Sequence, residues 1–161
     1  MEVFDMGIHF KGILVVFLLL CPNMLFYFFP PQNVPASLTS PPVILTIIEQ
    51  VGRITCLAAP IIFGKKIAEQ KISCLLLLMA ACLLVYYICW VLYFVNGRDF
   101  FYLFKPIGCI PIPMAIFPLM YFILLGIWLQ SPLFIAPALL FSIGHLLISW
   151  NTYIQLLRIT G

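Results

Sequence analysis

Long runs of apolar residues, separated by short polar segments, dominate this sequence and restrict what it can fold into. A helix that crosses a lipid bilayer needs about 20 apolar residues. Lipid offers no hydrogen bonds, so a spanning segment must satisfy its own backbone groups, as a helix does. Five runs qualify as spans, at residues 12–29, 43–63, 72–95, 113–129 and 132–157. The sequence therefore predicts an all-α integral membrane protein, a bundle of five transmembrane helices forming one domain over residues 1–161.

The overall composition agrees with a lipid environment. Hydrophobic residues make up 65% of the 161 residues and charged residues only 8%, whereas soluble domains average about 45–50% apolar and about 25% charged. The net charge is only +3, and the single local group of basic residues is Lys65, Lys66 and Lys71. Nucleic-acid binding requires a basic face or stripe, so no nucleic-acid partner is predicted.

The six cysteines do not indicate redox or metal chemistry. No two of them have C-x-x-C spacing, and most lie in or beside apolar runs. Free cysteine packs as a small hydrophobic residue, and a zinc site would need thiolates and imidazoles at ligand spacing. The sequence therefore predicts neither a metal nor a cofactor.

The distribution of basic residues predicts an orientation. The first eleven residues carry Glu2 and Asp5 against Lys11, unlike the positive start of a cleaved signal peptide, so residues 12–29 are predicted to remain as a span. Lysines concentrate on the side of the N-terminus, and cytoplasmic segments are enriched in Lys and Arg. The prediction is a multi-pass cell-membrane protein with a cytoplasmic N-terminus and an outside C-terminus. Aromatic residues near the predicted span ends are expected at the membrane interfaces, namely Tyr27, Trp90, Tyr93, Tyr102, Trp128 and Trp150.

Two short segments interrupt the apolar runs. The lysine-rich GKKIAEQK, at 64–71, is predicted to be a tight loop. Closely spaced prolines predict an extended or interfacial segment at 106–112, because a residue before proline avoids the α region. Pro113 is then predicted to lie in the first turn of the fourth span, where its missing N–H costs nothing.

The second span carries a polar stripe. At 100° per residue, Thr46, Glu49, Gln50, Arg53 and Pro60 fall within an arc of about 100°. Glu49 precedes Arg53 by four residues, the favourable order for an ion pair on a helix. Charged residues at span depth face a bundle interior or a water-filled cavity, so this stripe is predicted to point inward.

The fifth span carries a matching stripe of Ser142, His145, Ser149, Thr152 and Tyr153. We expect the second and fifth spans to meet along their stripes. This contact would bring His145 beside the Glu49–Arg53 pair. Asn23 of the first span adds a polar group at a similar depth. The candidate ligand-binding residues are Glu49, Arg53, His145, Gln50, Asn23, Ser149 and Tyr153.

Two interpretations of this polar centre remain open. Interhelical hydrogen bonds alone would fix helix register. Alternatively, the centre lines a cavity, because ionisable residues within a membrane are functional candidates by default. The favoured function is binding or transport of a small organic ligand or a lipid.

Two other functions are possible from the sequence. The first is an intramembrane enzyme acting on lipid, with Glu49 or His145 as general base. The second is an accessory or immunity-type subunit that acts through helix–helix contacts. Five spans do not divide into inverted repeats, so transport would require a homodimer or a partner membrane protein.

Several segments resemble a group of small, functionally uncharacterised membrane proteins from Gram-positive bacteria. The segments are HFKGILVVFLLLCPNMLFYFFPP, EQVGRITC, CWVLYFVNGRDFFYL, IPIPMAIFPLMYFILLGIWL and SIGHLLIS. This resemblance implies a bacterial multi-span protein and no particular function. The five-span plan with a proline-rich first loop is also similar in architecture to the tryptophan-rich sensory (translocator) proteins. The chain has only three tryptophans and lacks their Trp-rich stretches, so no ligand residues are carried over.

Overall fold

The computed structural model describes residues 7–160, which form an all-helical bundle without strands. The helices are α1 (Phe10–Phe28), α2 (Val43–Ile62), α3 (Gly64–Glu69), α4 (Cys74–Val95), α5 (Pro113–Trp128) and α6 (Pro132–Thr160). A 3-10 helix at Phe100–Leu103 precedes α5. The predicted all-helical fold is confirmed, and α1, α2, α4 and α6 are long and apolar enough to cross a membrane. With 16 residues, α5 is shorter than the other four.

Local chemistry explains where several helices begin. The His9 side chain accepts a hydrogen bond from the backbone N–H of Lys11 at the start of α1, and Ser73 does the same for Leu75 at the start of α4. Such side-chain caps satisfy N–H groups that have no partner within the helix. Pro113 lies in the first turn of α5 as predicted.

The segments between the spans partly differ from prediction. Residues 106–112 are non-helical as expected, with a short bridge between Ile107 and Ile110. The predicted tight loop at 64–71 is wrong, because Gly64–Glu69 forms the short helix α3. Lys, Ala and Glu favour the helical conformation, so this segment forms a short helix although its polarity indicated a loop.

The bundle has two distinct ends. We call the end with loops 29–42 and 96–112 the long-loop end, and the end with α3 and the turn at 129–131 the short-loop end. The two long loops pair with each other: the N–H of Gln32 donates to the carbonyl of Arg98 at 2.8 Å and the N–H of Phe100 to that of Gln32 at 3.0 Å. Asn33 Nδ2 also donates to Asp99 Oδ2 at 2.8 Å. These bonds join the loops into one cap over that end.

Helices α2 and α6 make the most extensive contact in the bundle. Glycines permit their backbones to approach closely: a Cβ on Gly52 would lie 2.4 Å from the backbone nitrogen of Phe141, and one on Gly144 would lie 2.7 Å from that of Glu49. Small residues at helix crossings are a common means of close packing in membranes. The predicted meeting of the second and fifth spans is therefore confirmed.

Helix α1 changes neighbours along its length. At the short-loop end it packs closely on α2, since a Cβ on Gly12 would meet the Pro60 carbonyl oxygen. Nearer the long-loop end its described contacts are with α4 instead: Phe26 packs edge-on against Trp90, with ring centroids 5.8 Å apart, and the Tyr93 hydroxyl donates to the Phe29 carbonyl. It follows that α1 leans away from α2 and towards α4 as it approaches the long-loop end.

The aromatic residues expected at the interfaces are partly buried instead. Trp90 and Tyr93 lie inside an aromatic cluster with Tyr86, and Trp128 is buried while its indole N–H donates to the Lys71 carbonyl at 2.9 Å. These three rings therefore face neighbouring helices and not lipid. Position near a span end does not reveal whether a ring faces lipid or a neighbouring helix.

Candidate functional site

A three-residue cluster joins α2 to α6. Arg53 Nη2 donates a hydrogen bond to Glu49 Oε1 within a salt bridge, and His145 Nδ1 lies 2.7 Å from the same oxygen. A carboxylate oxygen only accepts, so the Nδ1 atom of His145 carries the proton. Only 8% of the Glu49 side chain is exposed, compared with 39% for Arg53. One buried carboxylate therefore positions two side chains.

The local sequence explains this geometry. Glu49 and Arg53 are one helical turn apart, so both reach the same side of α2. Gly144, next to His145, lies against the Glu49 backbone and lets α6 come within reach of the carboxylate. Phe141 lies one turn before His145, with ring centroids 5.1 Å apart, and the Arg53 guanidinium carbon is 5.6 Å from the Phe141 centroid. The ring thus contacts both side chains, through a cation–π interaction with Arg53 and a tilted ring contact with His145.

A cavity of about 420 Å³ adjoins the cluster. It is enclosed by α1, α2, α4, α5, α6 and the end of the 3-10 helix, in the half of the bundle nearer the long-loop end. Leucine, phenylalanine and other apolar side chains form most of its wall. The polar or partly polar residues in the wall are Asn23, Arg53, Tyr86, Trp90, His145 and Ser149. A mainly apolar cavity with a few convergent polar groups is typical of small-molecule sites.

A second polar group lies on α1 and α4. Asn23 Nδ2 donates to the Tyr86 hydroxyl at 2.8 Å and to the Leu19 carbonyl at 3.2 Å. The Trp90 indole N–H is buried and has no hydrogen-bond partner among the described residues. It interacts electrostatically with the Tyr86 hydroxyl, but the pair does not meet hydrogen-bond geometry. Sequence reasoning missed Tyr86 as a site residue and took Trp90 for an interface anchor.

The seven predicted site residues fall into three groups. Asn23, Arg53, His145 and Ser149 line the cavity. Glu49 lies behind Arg53 and His145 and holds both. The other two, Gln50 and Tyr153, are not in the cavity wall: Gln50 is exposed on α2, and Tyr153 stacks on Trp150 at 5.6 Å.

The hydroxyl groups of the two stripes do not connect α2 and α6. Ser142 donates to the Ala138 carbonyl at 2.7 Å, and Thr152 donates to the Ile148 carbonyl at 3.0 Å, both within α6. Thr46 likewise bonds within its own chain segment, to Pro42. In the described part of the chain, the side-chain hydrogen bond joining α2 and α6 is that between Glu49 and His145. Among residues 7–160, the contact between α2 and α6 thus lacks a network of side-chain hydrogen bonds, whereas tyrosine and asparagine side chains bond α1 to α4 and α5.

The long-loop end contributes residues that sequence reasoning also missed. Leu103 and Phe104 reach from the 3-10 helix into the cavity wall. Asp99 positions that helix, because its carboxylate accepts a hydrogen bond from the N–H of Phe101 at 2.9 Å. The left-handed backbone of Gly97 and Arg98 forms the turn that precedes this helix.

Other site chemistry is limited in the described residues. All six cysteines are free, and no cluster of three or more His, Cys, Asp or Glu side chains suited to a metal occurs between residues 7 and 160. The chain matches no protein-family model, no curated protein and no solved structure. Inference about its function therefore depends on the cavity and its wall.

Proposed function

We propose that this protein is a five-span membrane protein that binds or transports a small organic molecule or a lipid within its bundle. The observation that carries the proposal is the cavity of about 420 Å³ with Arg53 and His145 in its wall. Its volume lies within the range of about 300–1,000 Å³ typical of ligand pockets. A polar centre serving only to hold helices together would need no such space.

Five spans are proposed although α5 is short. At about 1.5 Å per residue, its 16 residues extend about 24 Å, less than the roughly 30 Å of a hydrocarbon core. Burial supports its assignment as a span, because one face of α5 is buried along its whole length, from Pro113 to Trp128, against α4 and α6. A helix shielded by its neighbours does not itself have to match the lipid thickness.

The orientation remains as proposed from the sequence. Lys11, Lys65, Lys66 and Lys71 all lie at the short-loop end. Arg98, Lys105 and Arg158 lie at the opposite end. The positive-inside tendency therefore favours a cytoplasmic short-loop end, which puts the cavity in the outer half of the membrane.

Within the cavity, the proposed roles differ between the three clustered residues. Arg53 uses one of its five N–H donors on Glu49 and has others to offer an anionic group of a ligand. His145 has its Nδ1 atom occupied by Glu49, which orients the ring. Glu49 is a positioning residue, since it is buried behind the other two.

The experiment is identification of molecules that co-purify with the protein. Wild type and the Arg53→Gln variant would be purified in mild detergent and their bound molecules measured by native mass spectrometry. We expect a bound species in the wild type that is depleted at least tenfold in Arg53→Gln, since a charged hydrogen bond contributes about 1.5–3 kcal/mol. Gln50→Ala is the matched control, because Gln50 lies on the same helix outside the cavity. Equal occupancy in all three proteins, or none in any, would contradict the proposal.

A lipid-modifying enzyme is the second candidate. The observation in its favour is the short His145–Glu49 hydrogen bond, with Ser149 one turn further along α6 in the cavity wall. A carboxylate-oriented imidazole beside a hydroxyl is an arrangement that activates a nucleophile. Unchanged host lipid composition in Glu49→Gln and Ser149→Ala strains would exclude this candidate and leave the binding proposal intact.

A further inference from the structure

We infer that the ligand is a single-chain lipid with an anionic head group, of the fatty-acid class, and that it enters sideways from the bilayer between α1 and α2. This inference rests on the proposed binding function and adds to it the ligand class and the route. It is carried by four features: the divergence of α1 from α2, the exposure of polar groups at that gap, the charge of Arg53 and the size and lining of the cavity.

The gap arises because α1 is attached to different helices at its two ends. Near the short-loop end, Gly12 lies against Pro60, and the N–H of Gly7 donates to the Ile62 carbonyl at 3.0 Å. In the other half of α1, Asn23 bonds to Tyr86 of α4. Cavity-lining residues stand on both sides of the resulting opening, with Leu20 and Asn23 on α1 and Arg53 and Leu57 on α2.

Polar side chains at this gap are accessible at span depth. Asn23 is exposed, and 39% of the Arg53 side chain is exposed. Ionisable residues facing hydrocarbon are costly, and they usually find a polar partner or a water-filled cavity. A ligand with a polar head at the gap would cover both side chains and remove that cost.

The donors of Arg53 that Glu49 does not use favour an anionic head. Glu49 is the acidic residue in the cluster, and Arg53 and His145 both bond to its Oε1 atom. The remaining guanidinium donors of Arg53 offer a planar fork that matches a carboxylate or a phosphate. Among the polar groups of the wall, Asn23, Tyr86 and Ser149 are neutral, so no second acid in the wall repels an incoming anion.

Size and lining favour one acyl chain. A cavity of about 420 Å³ is near the lower limit for a drug-sized ligand, too small for both chains of a phospholipid. Phe26, Leu57 and Phe122 provide an apolar wall, and the gap between α1 and α2 lets a longer chain extend into the bilayer. The long-loop end is less accessible, because the paired loops and Leu103 and Phe104 cover it.

The test uses a photoactivatable probe, dodecanoic acid with a diazirine on its chain, added in lipid vesicles to the reconstituted full-length protein. Peptide mapping is expected to find the label on cavity-lining segments of α1, α2 and α5. The matched uncharged probe, the corresponding dodecanol, is expected to label these segments about tenfold less, as is the acid with Arg53→Gln. Equal labelling by acid and alcohol would overturn the anionic ligand class.

The route is tested by filling the gap. Leu20→Trp, at the α1 side of the opening, should slow labelling by the acid several-fold. Leu25→Trp is its control, because Leu25 is exposed elsewhere on α1. Thermal unfolding would verify that both variants fold. Labelling of Leu20→Trp at the wild-type rate would overturn the side entrance.

A third arm separates failure of this inference from failure of the proposed function. Benzoate, a water-soluble carboxylate without an acyl chain, would be titrated into the purified protein by calorimetry. Benzoate binding without specific labelling by the lipid acid would leave the binding function standing and overturn the lipid class. If neither benzoate binding nor specific labelling by the lipid acid were found, the binding function itself would be overturned.

Discussion

The two polar walls of the cavity differ in how their groups are satisfied. On α2 and α6, the Arg53 guanidinium and the His145 ring both bond to one carboxylate oxygen of Glu49, and glycines bring the helix backbones together around it. On α1 and α4, Asn23 and Tyr86 are neutral, and the adjoining Trp90 N–H has no hydrogen-bond partner within the described residues. The first wall is locked by its own ionic interactions and backbone contacts, whereas the second holds α1 by neutral side-chain hydrogen bonds and ring contacts. The difference implies that α2 and α6 form the fixed side of the site and α1 the adjustable side.

We expect the largest loss in the free energy of unfolding when α2 and α6 can no longer approach closely. In Gly144→Leu, the new side chain would overlap the backbone of Glu49, and overpacking of this kind costs about 1–3 kcal/mol or more. We expect a loss of about 3 kcal/mol, measured by unfolding in mixed detergent micelles. Ile143→Leu, on the exposed side of the same turn, should change stability by less than about 0.5 kcal/mol. Equal effects would show that the glycine contact does not hold the fixed side together.

Removal of the buried charge of Glu49 should cause the second-largest loss of stability. Glu49→Gln keeps the side-chain shape but leaves Arg53 without its counter-ion. Breaking a buried pair typically costs about 3–5 kcal/mol; partial exposure of Arg53 lowers our expectation to about 2 kcal/mol. Double-mutant cycles with Arg53→Gln and with His145→Gln would measure each coupling. Coupling near zero in both cycles would contradict the description of this wall as locked.

On the adjustable side, a substitution that removes one hydrogen bond should cause a smaller loss of stability. Tyr86→Phe removes the hydroxyl that accepts from Asn23, while Asn23 keeps its bond to the Leu19 carbonyl. One neutral hydrogen bond contributes about 1 kcal/mol. The same unfolding assay would measure it, and the α1 backbone should exchange its amide hydrogens faster near Asn23. If Tyr86→Phe cost more than Glu49→Gln, the assignment of fixed and adjustable sides would have to be reversed.

The smallest effect is expected for hydroxyl groups that bond within their own helix. Ser142→Ala removes a bond to the Ala138 carbonyl that contributes nothing to the contact with α2. We expect a change below about 0.5 kcal/mol in the unfolding assay. A loss above 1 kcal/mol would indicate that the stripe hydroxyls do join the helices.

Charges and periodicity made one wall predictable from the sequence, while the other was not. Glu49 and Arg53 interrupt an oily run at helical spacing, and His145 lies on a similar stripe, so their meeting follows from the cost of charge in lipid. Tyr86 and Trp90 lie in an apolar helix where aromatic residues are equally suited to lipid, to an interface or to a core. Asn23 meets Tyr86 because α1 packs on α4 there, and no periodicity reveals which neighbour a helix packs on.

The apolar runs predicted the positions of the helices well, because a chain in lipid must satisfy its backbone hydrogen bonds. Backbone groups in lipid must bond within the segment, and helix ends were found within about three residues of prediction. The cavity itself was not predictable in position or size, since a void depends on how side chains from five helices and a 3-10 turn fail to fill space.

The close contact between Gly12 and Pro60 makes α1 a lever with its pivot at one end. At about 1.5 Å per residue, the 16 residues of α1 beyond Gly12 give an arm of about 24 Å, so a swing of about 10° at the pivot would displace the far end by about 4 Å. A small shift of α1 near Pro60 would therefore change the width of the opening beside Arg53 by several times as much. A rearrangement at the short-loop end of such a lever would act on a site nearer the long-loop end.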